Sequence, residues 1–361
     1  MGYETADTEP LVIARQGSFS VGGRLLQGAS VIDGSASMDR MNQGRSTWVD
    51  QMYVQYQIPL DPRIYPLLLV HGGAGTGRVW ESTPDGREGY QTIFLRRGYS
   101  VYIVDFPRRG RAGLPSFSGA FGNLEGEQIV PNRTEKHGIE YAWAIWRIGP
   151  KYPDVFPGQQ FPTDRASIDQ FFQSLVPTVS DDETVITDAL VALLDKIGPM
   201  ILVTHSQSGR MGWLTAMRRP NLVKAIVSYE PTYLFSDGAL PEPIPLFKGT
   251  YRGGTTVSEA DFERLVRVPV QVVYGDNIPS GPSGLPAEIR RAQMVASGQF
   301  AKAINRRGGD AEVLHLPEAG LHGNSHFMFA DQNNLAVADQ LAQFLGRKGP
   351  DGPLRREPWG A

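Results

Sequence analysis

The sequence predicts an α/β protein built on a mostly parallel, doubly wound sheet. Three observations carry that reading. Short, continuous apolar runs recur from Leu67 onward, as expected of strands buried on both faces. Segments of helical character separate them. Several of the runs end in glycine-, histidine- or carboxylate-bearing turns, and a parallel sheet places its chemistry at that edge.

The elements follow in order. Leu11 to Gly23 reads as short strands with glycine turns, and Trp48 to Pro59 alternates apolar and polar residues like a half-exposed strand. Together they predict an antiparallel edge. Leu67–Val70 is the first buried strand, followed by His71-Gly72-Gly73-Ala74-Gly75-Thr76-Gly77. Residues 87–97 suit a helix, and Tyr99–Asp105 is a second buried strand. Asp182 to Ile197 predicts a helix with Asp181 or Asp182 near its cap and Gly198 at its end. Then come the strand Met200–Val203 and an amphipathic run through Met211, Leu214 and Met217. Further strands are expected at Ala225–Tyr229, Val268–Tyr274 and Ala311–Leu316, with helices over 287–306 and 333–345. Residues 1–10 and the Gly-, Pro- and Arg-rich stretch 348–361 are expected to lie loose. No internal repeat is visible, and one domain is expected over residues 1–361.

One segment breaks the rhythm. No convincing sheet strand lies between Asp105 and Asp181, and a structureless loop of that length would be abnormal. Residues 107–181 are therefore expected to form an inserted cap. The insertion is rich in aromatics: Tyr141, Trp143, Trp146, Tyr152, Phe156, Phe161, Phe171 and Phe172. Tyr141, Trp143 and Trp146 are expected among the walls of an apolar substrate pocket. The competing reading is that such aromatics glue the insertion to the body.

Composition narrows the function. The chain has 361 residues, 41% hydrophobic and 20% charged, which is ordinary for a globular protein. A net charge of −3 gives no electrostatic case for nucleic acid, and no apolar run approaches the ~20 residues of a membrane span. No signal peptide is visible at the N-terminus, and the compartment stays open. The absence of cysteine excludes disulfides, a cysteine nucleophile and thiolate metal sites. No histidine–carboxylate cluster has metal-ligand spacing, so neither metal nor other cofactor is expected.

The chemistry gathers at strand ends. Met200-Ile201-Leu202-Val203-Thr204-His205-Ser206-Gln207-Ser208-Gly209 has the strand–turn–helix context of a nucleophile elbow. That turn crowds the residues two before and two after the nucleophile. For Ser206 these are Thr204 and Ser208, both small; for Ser208 one would be Arg210. Ser206 is therefore the candidate nucleophile. The glycines after Leu67–Val70 let the backbone approach a bound carbonyl, so the N–H groups of Gly73 and Gln207 are the candidate oxyanion hole. The same stretch fits neither nucleotide-binding glycine pattern. For the acid, Asp276 sits too close to its strand, and Ile278 stands where a carboxylate is commonly found. Glu230, stiffened by Pro231, is chosen. The base lies in Leu321-His322-Gly323-Asn324-Ser325-His326. Spacing favours His322, while the apolar cluster after His326 would fix that ring.

The assembled order, Ser…Glu…His, is that of the α/β-hydrolases. The chain resembles a small α/β-hydrolase family of bacterial esterases and fungal relatives. The likeness runs through Trp80–Arg87, Trp143–Arg147, Thr204–Gly209, Ser228–Pro231, His322–His326 and Asp331–Leu335, in scattered blocks across about residues 48–347. It implies an α/β-hydrolase fold, a glutamate acid after the strand that follows the nucleophile helix, and the second histidine of the block, His326, as base. It also implies a serine carboxylic-ester hydrolase acting on a small-molecule ester. A lactonase, thioesterase or amidase would use the same triad, and a catalytically silent binding protein of this fold is the runner-up from another class. Assembly as a homodimer stays open.

Overall fold

The computed structural model describes residues 9–26, 47–113, 134–179, 183–238 and 240–349. The expected cap residues Asp181 and Asp182, part of the insertion and most of both chain ends lie outside these.

Eight strands form one sheet: β1 (Ile13–Leu26), β2 (Thr47–Pro59), β3 (Leu67–Val70), β4 (Val101–Asp105), β5 (Met200–His205), β6 (Val223–Tyr229), β7 (Val270–Tyr274) and β8 (Ala311–His315). Their spatial order is β1-β2-β4-β3-β5-β6-β7-β8. The pairs β1–β2 and β2–β4 are antiparallel, and every pairing from β4 through β3 to β8 is parallel. The expected mixed sheet with an antiparallel edge is observed.

The apolar runs are continuous because both faces are covered. Leu68, Val70, Met200 and Leu202 enter one core layer, while Leu67, Leu69, Ile201 and Val203 enter the other. Among the described residues the helices are α1 (Tyr90–Arg96), α2 (Ile139–Ile145), α3 (Arg165–Ser174), α4 (Glu183–Ile197), α5 (Ser208–Arg218), α6 (Glu259–Leu265), α7 (Glu288–Asn305) and α8 (Asn334–Lys348). The first layer is closed by α4 to α7, through Leu190, Trp213, Phe262 and Phe300. The second is closed by α1, α8 and the insertion, through Phe94, Phe344, Trp146 and Phe171.

The N-terminal edge differs from expectation. β1 is a single strand that runs through Gly22 and Gly23, not short strands with turns. Both glycines take positive φ (67° and 78°), and Asp50 on β2 does the same at 62°. The ladder bends there and resumes, with Gly22 opposite Gln51 and Arg24 opposite Val49. A side chain at Gly23 would meet the Val49 carbonyl at 2.7 Å, so glycine is needed for the strands to stay paired. Within the insertion, α2 and α3 are flanked by two-residue strands, Thr134–Glu135 before α2 and Thr178–Val179 after α3, which pair with each other and not with the main sheet.

Candidate active site

Parallel register aligns the carboxyl ends of three neighbouring strands. His205 of β5 lies opposite Tyr229 of β6, and Tyr229 opposite Val273 of β7. The next residue on each of the first two strands leaves the sheet at the same level. Those residues are Ser206 and Glu230.

Both leave by a left-handed turn, Ser206 at φ 54° and Glu230 at φ 44°. Non-glycine residues rarely hold this conformation without surrounding constraint. At Ser206 the constraint is local. Its N–H donates to the Tyr229 carbonyl (2.9 Å), and its own carbonyl accepts from Gly209 (3.1 Å) and Thr232 (3.0 Å). The turn is crowded: a Cβ on Gly209 would lie 2.2 Å from Pro231, and one on Gly212 2.9 Å from Thr204. Ser208 is fully buried, its Oγ accepting from the His205 N–H (2.8 Å) and lying 3.0 Å from the Val70 carbonyl. It ties the turn, whereas Ser206 keeps contact with solvent.

Glu230 and Arg147 are both completely buried. The guanidinium grips the carboxylate with both arms, Nη1 on Oε2 at 2.9 Å and Nη2 on Oε1. Arg147 Nε donates to the Asp276 carbonyl (2.7 Å), and the Gly275 N–H donates to Glu230 Oε1 (3.0 Å). Gly275 has no room for a side chain, since a Cβ would meet the carbonyls of Asn324 and Ser325 at 2.7 and 2.8 Å. Burial pushes the Glu230 carboxyl up, but Arg147 and His326 together hold it well below the usual carboxylate range.

His326 Nδ1 lies 2.6 Å from Glu230 Oε2, so the ring donates there and leaves Nε2 bare. Its backbone is held from two sides. The His326 N–H donates to the Trp146 carbonyl (2.9 Å), and the His326 carbonyl accepts from His205 Nε2 (3.0 Å). His205 thus packs under the candidate base, with ring centroids 4.4 Å apart. Buried Asp331 braces the same loop, accepting from the Ser325 N–H (2.7 Å), the Ser325 hydroxyl (2.7 Å) and Asn324 Nδ2 (3.0 Å). Burial, Arg290 and Arg147 press the His326 pKa down to about 3, against the opposing pull of Glu230. The ring is neutral at pH 7.

His322 stands apart. Its side chain is 69% exposed, and its nearest carboxylate is Asp276 at 3.7 Å. Asp276 also accepts the Gly323 N–H (2.8 Å). Of the two candidate bases, only His326 meets Glu230.

The glycine loop after β3 lies against the Ser206 turn. A Cβ on Gly72 would fall 2.8 Å from His205 Nδ1 and 3.1 Å from Ser206 Cβ. Gly73 faces the Gln207 side chain, whose Oε1 would lie 3.3 Å from a Cβ placed there. Arg109, buried, reaches both Gly72 O (3.4 Å) and Gln207 Oε1 (3.3 Å). The residues singled out from the sequence, Ser206, Gln207, Glu230, His326 and Gly73, therefore gather at one sheet edge. Sequence reasoning missed Arg147, Arg109 and Asp331, although Arg147 and Asp331 lie within the blocks that carried the resemblance.

The insertion's aromatics are mostly interior. Trp143 is 2% exposed and gives its indole N–H to the Asp154 carbonyl (2.7 Å). Trp146, 5% exposed, packs on Phe171, Phe172 and Phe327. Tyr141 is half exposed. A cavity of about 280 Å³ opens between Ala144, Gly149 and Phe156 of the insertion and Ile278, Leu285 and Ala287 of the loop after β7, and none of the three aromatics lines it. Among the described residues no group of histidines and carboxylates is placed to hold a metal, and no helix is long and apolar enough to cross a membrane.

The strand order, the strained serine turn and the buried Glu230–His326 pair are those of an α/β-hydrolase. No family model matches the chain. It is 34% identical to a protein of known structure described as a novel bacterial esterase, with a TM-score of 0.74, covering 94% of this chain and 98% of that one. It is also 29% identical over 325 residues to the probable secreted lipase phiG of a fungal species (strain ATCC 74256), covering 82% of this chain and 86% of the relative. The chain belongs to the α/β-hydrolase superfamily, in the family of that bacterial esterase, and is an enzyme of the hydrolase class.

Proposed function

We propose that the protein is a serine carboxylic-ester hydrolase that works through an acyl-enzyme. The observation that carries the reading is the buried His326–Glu230 hydrogen bond of 2.6 Å at the same sheet edge as the strained Ser206 turn. Ser206 Oγ attacks the ester carbonyl carbon, and His326 Nε2 takes its proton. The negative charge that develops on the carbonyl oxygen is met by the N–H groups of Gly73 and Gln207. The imidazolium faces Glu230, which Arg147 keeps ionised and fixed. The tetrahedral intermediate collapses as His326 protonates the leaving alcohol. Water then repeats the sequence on the acyl-enzyme and frees the acid.

His326 begins as a free base at neutral pH, and the positive charge it acquires is offset by Glu230 within hydrogen-bond distance. We assign residues 107–181 as a cap within a single domain spanning 1–361. In this reading Tyr141 is the aromatic that meets substrate, while Trp143 and Trp146 act from behind by holding α2. The esterase and lipase names of the two relatives support a small-molecule ester as substrate.

The test is turnover of a p-nitrophenyl ester by Ser206→Ala and Ser208→Ala, with melting temperatures. Ser206→Ala is expected to abolish turnover with little change in stability. Full activity in Ser206→Ala would sink the reading.

A further inference from the structure

We propose that Arg109 and His71 are positioning residues of the oxyanion hole. Together they pin the carbonyl of the Gly72–Gly73 peptide, and so orient and polarise the Gly73 N–H. The inference rests on the reading of Gly73 as an oxyanion donor.

A peptide between two glycines has little to hold its plane, because both flanking residues tolerate a wide range of φ and ψ. If it rotated, a carbonyl oxygen would face the substrate where a donor is needed, and repel the charge that forms there. Here the carbonyl is held by two donors. His71 Nδ1 lies 2.8 Å from Gly72 O, and Arg109 Nη1 3.4 Å from it. The His71 tautomer is set from behind. The Phe106 N–H donates to Nε2 (3.2 Å), so that nitrogen is bare and Nδ1 carries the proton. His71 is completely buried, with its ring 4.1 Å from that of Phe106. Burial and the charge of Arg109 lower its pKa to about 4, so it stays a neutral donor.

The N–H of a trans peptide points opposite to its C=O. With the carbonyl turned toward His71 and Arg109, the Gly73 N–H points away from them. The peptide itself lies against Ser206, since a Cβ on Gly72 would come 3.1 Å from Ser206 Cβ. A donor on the carbonyl also strengthens the N–H of the same amide, because hydrogen bonds in a chain polarise one another. The second arm of Arg109 reaches Gln207 Oε1 at 3.3 Å, so one guanidinium touches both the Gly72 carbonyl and the Gln207 side chain. Its charge sits behind the donors, where it favours the oxyanion over the neutral ester.

The experiment compares wild type with Arg109→Met, Arg109→Lys and His71→Asn. It reads kcat and KM on a p-nitrophenyl ester, the inhibition constant of a trifluoromethyl ketone that forms a tetrahedral adduct, and melting temperature. Losing an oxyanion donor outright costs about 100- to 1,000-fold in kcat. Loosening one is expected to cost about 10- to 100-fold in Arg109→Met. Trifluoromethyl ketone binding should weaken in parallel, with KM within about threefold. Arg109→Lys should recover part of the loss, and His71→Asn, whose amide can donate to the same carbonyl, should lose less than Arg109→Met. Unchanged kcat and ketone affinity in Arg109→Met overturns the proposal, and so does a loss confined to KM. Should Arg109→Met fail to fold, Arg109→Lys decides by the same parallel. Failure of the functional reading looks different: the wild type itself would then be untouched by the ketone.

Discussion

Arg147→Met is the substitution whose consequences the structure specifies most fully. The change keeps most of the stem volume and removes three donors. Two serve Glu230 and one serves the Asp276 carbonyl. Glu230 would keep the Gly275 N–H and His326 Nδ1, but its charge would sit in a completely buried site without its cation. Removing one partner of a buried pair costs about 3–5 kcal/mol. Urea unfolding at pH 7 measures it. The sign of the pH dependence follows from the Glu230 carboxyl. Its depressed pKa makes the wild-type contribution complete above the usual 4.5, and acid removes it only as pH falls through the depressed value. In Arg147→Met burial raises that pKa, so acid protonates the variant first. The stability gap is therefore full at neutral pH and narrows on acidification. The variant should also lose kcat by about 10- to 100-fold, because a carboxylate no longer fixed by Arg147 holds and stabilises the imidazolium less well. A loss below about 1 kcal/mol, or a gap that does not narrow in acid, would refute the reasoning.

Three further outcomes are expected. His326→Ala should lower kcat by about 1,000-fold or more, while His322→Ala, whose side chain is 69% exposed, should stay near wild type. Paired kinetics check this, and the deeper loss in His322→Ala would return the base to the position that spacing favours. The acid limb of kcat/KM should lie well below the ordinary histidine value of 6.5, because burial and Arg290 oppose protonation of His326. A pH–rate profile with a midpoint at 6.5 or above would contradict that. Trp146→Ala should cost about 3–5 kcal/mol as a core truncation, and leave the preference among ester chain lengths nearly unchanged. A thermal melt and a chain-length series measure both, and a shifted preference with an intact melting temperature would make Trp146 a pocket wall.

The sheet was legible because burial on both faces leaves a strong mark. Runs such as Leu67–Val70 and Met200–Val203 carry no polar residue, and each feeds alternate side chains to opposite core layers. The edge was less so. Gly22 and Gly23 read as turns, yet here positive φ in both glycines, together with Asp50, bends a strand that stays paired. At the site, Ser206 and Glu230 could be picked out because each directly follows a buried strand. Spacing pointed to His322, whereas His326 is the one that meets Glu230; the difference lies in Gly275, Asn324 and Ser325, whose close packing seats the loop against β7. Arg147 was invisible for another reason. It lies 83 positions from Glu230, and its only local signal is a charge inside an aromatic run. The aromatics themselves could not reveal whether they face a pocket or each other, since either use needs the same side chains.

The central claim is that Ser206 is the nucleophile of an acyl-enzyme mechanism. Labelling with a fluorophosphonate, followed by peptide mass mapping, tests it most directly. The prediction is one adduct per chain on the Ser206 peptide, formed as ester hydrolysis is lost and absent from Ser206→Ala. An adduct on Ser208, or none in folded protein that still hydrolyses esters, would contradict it.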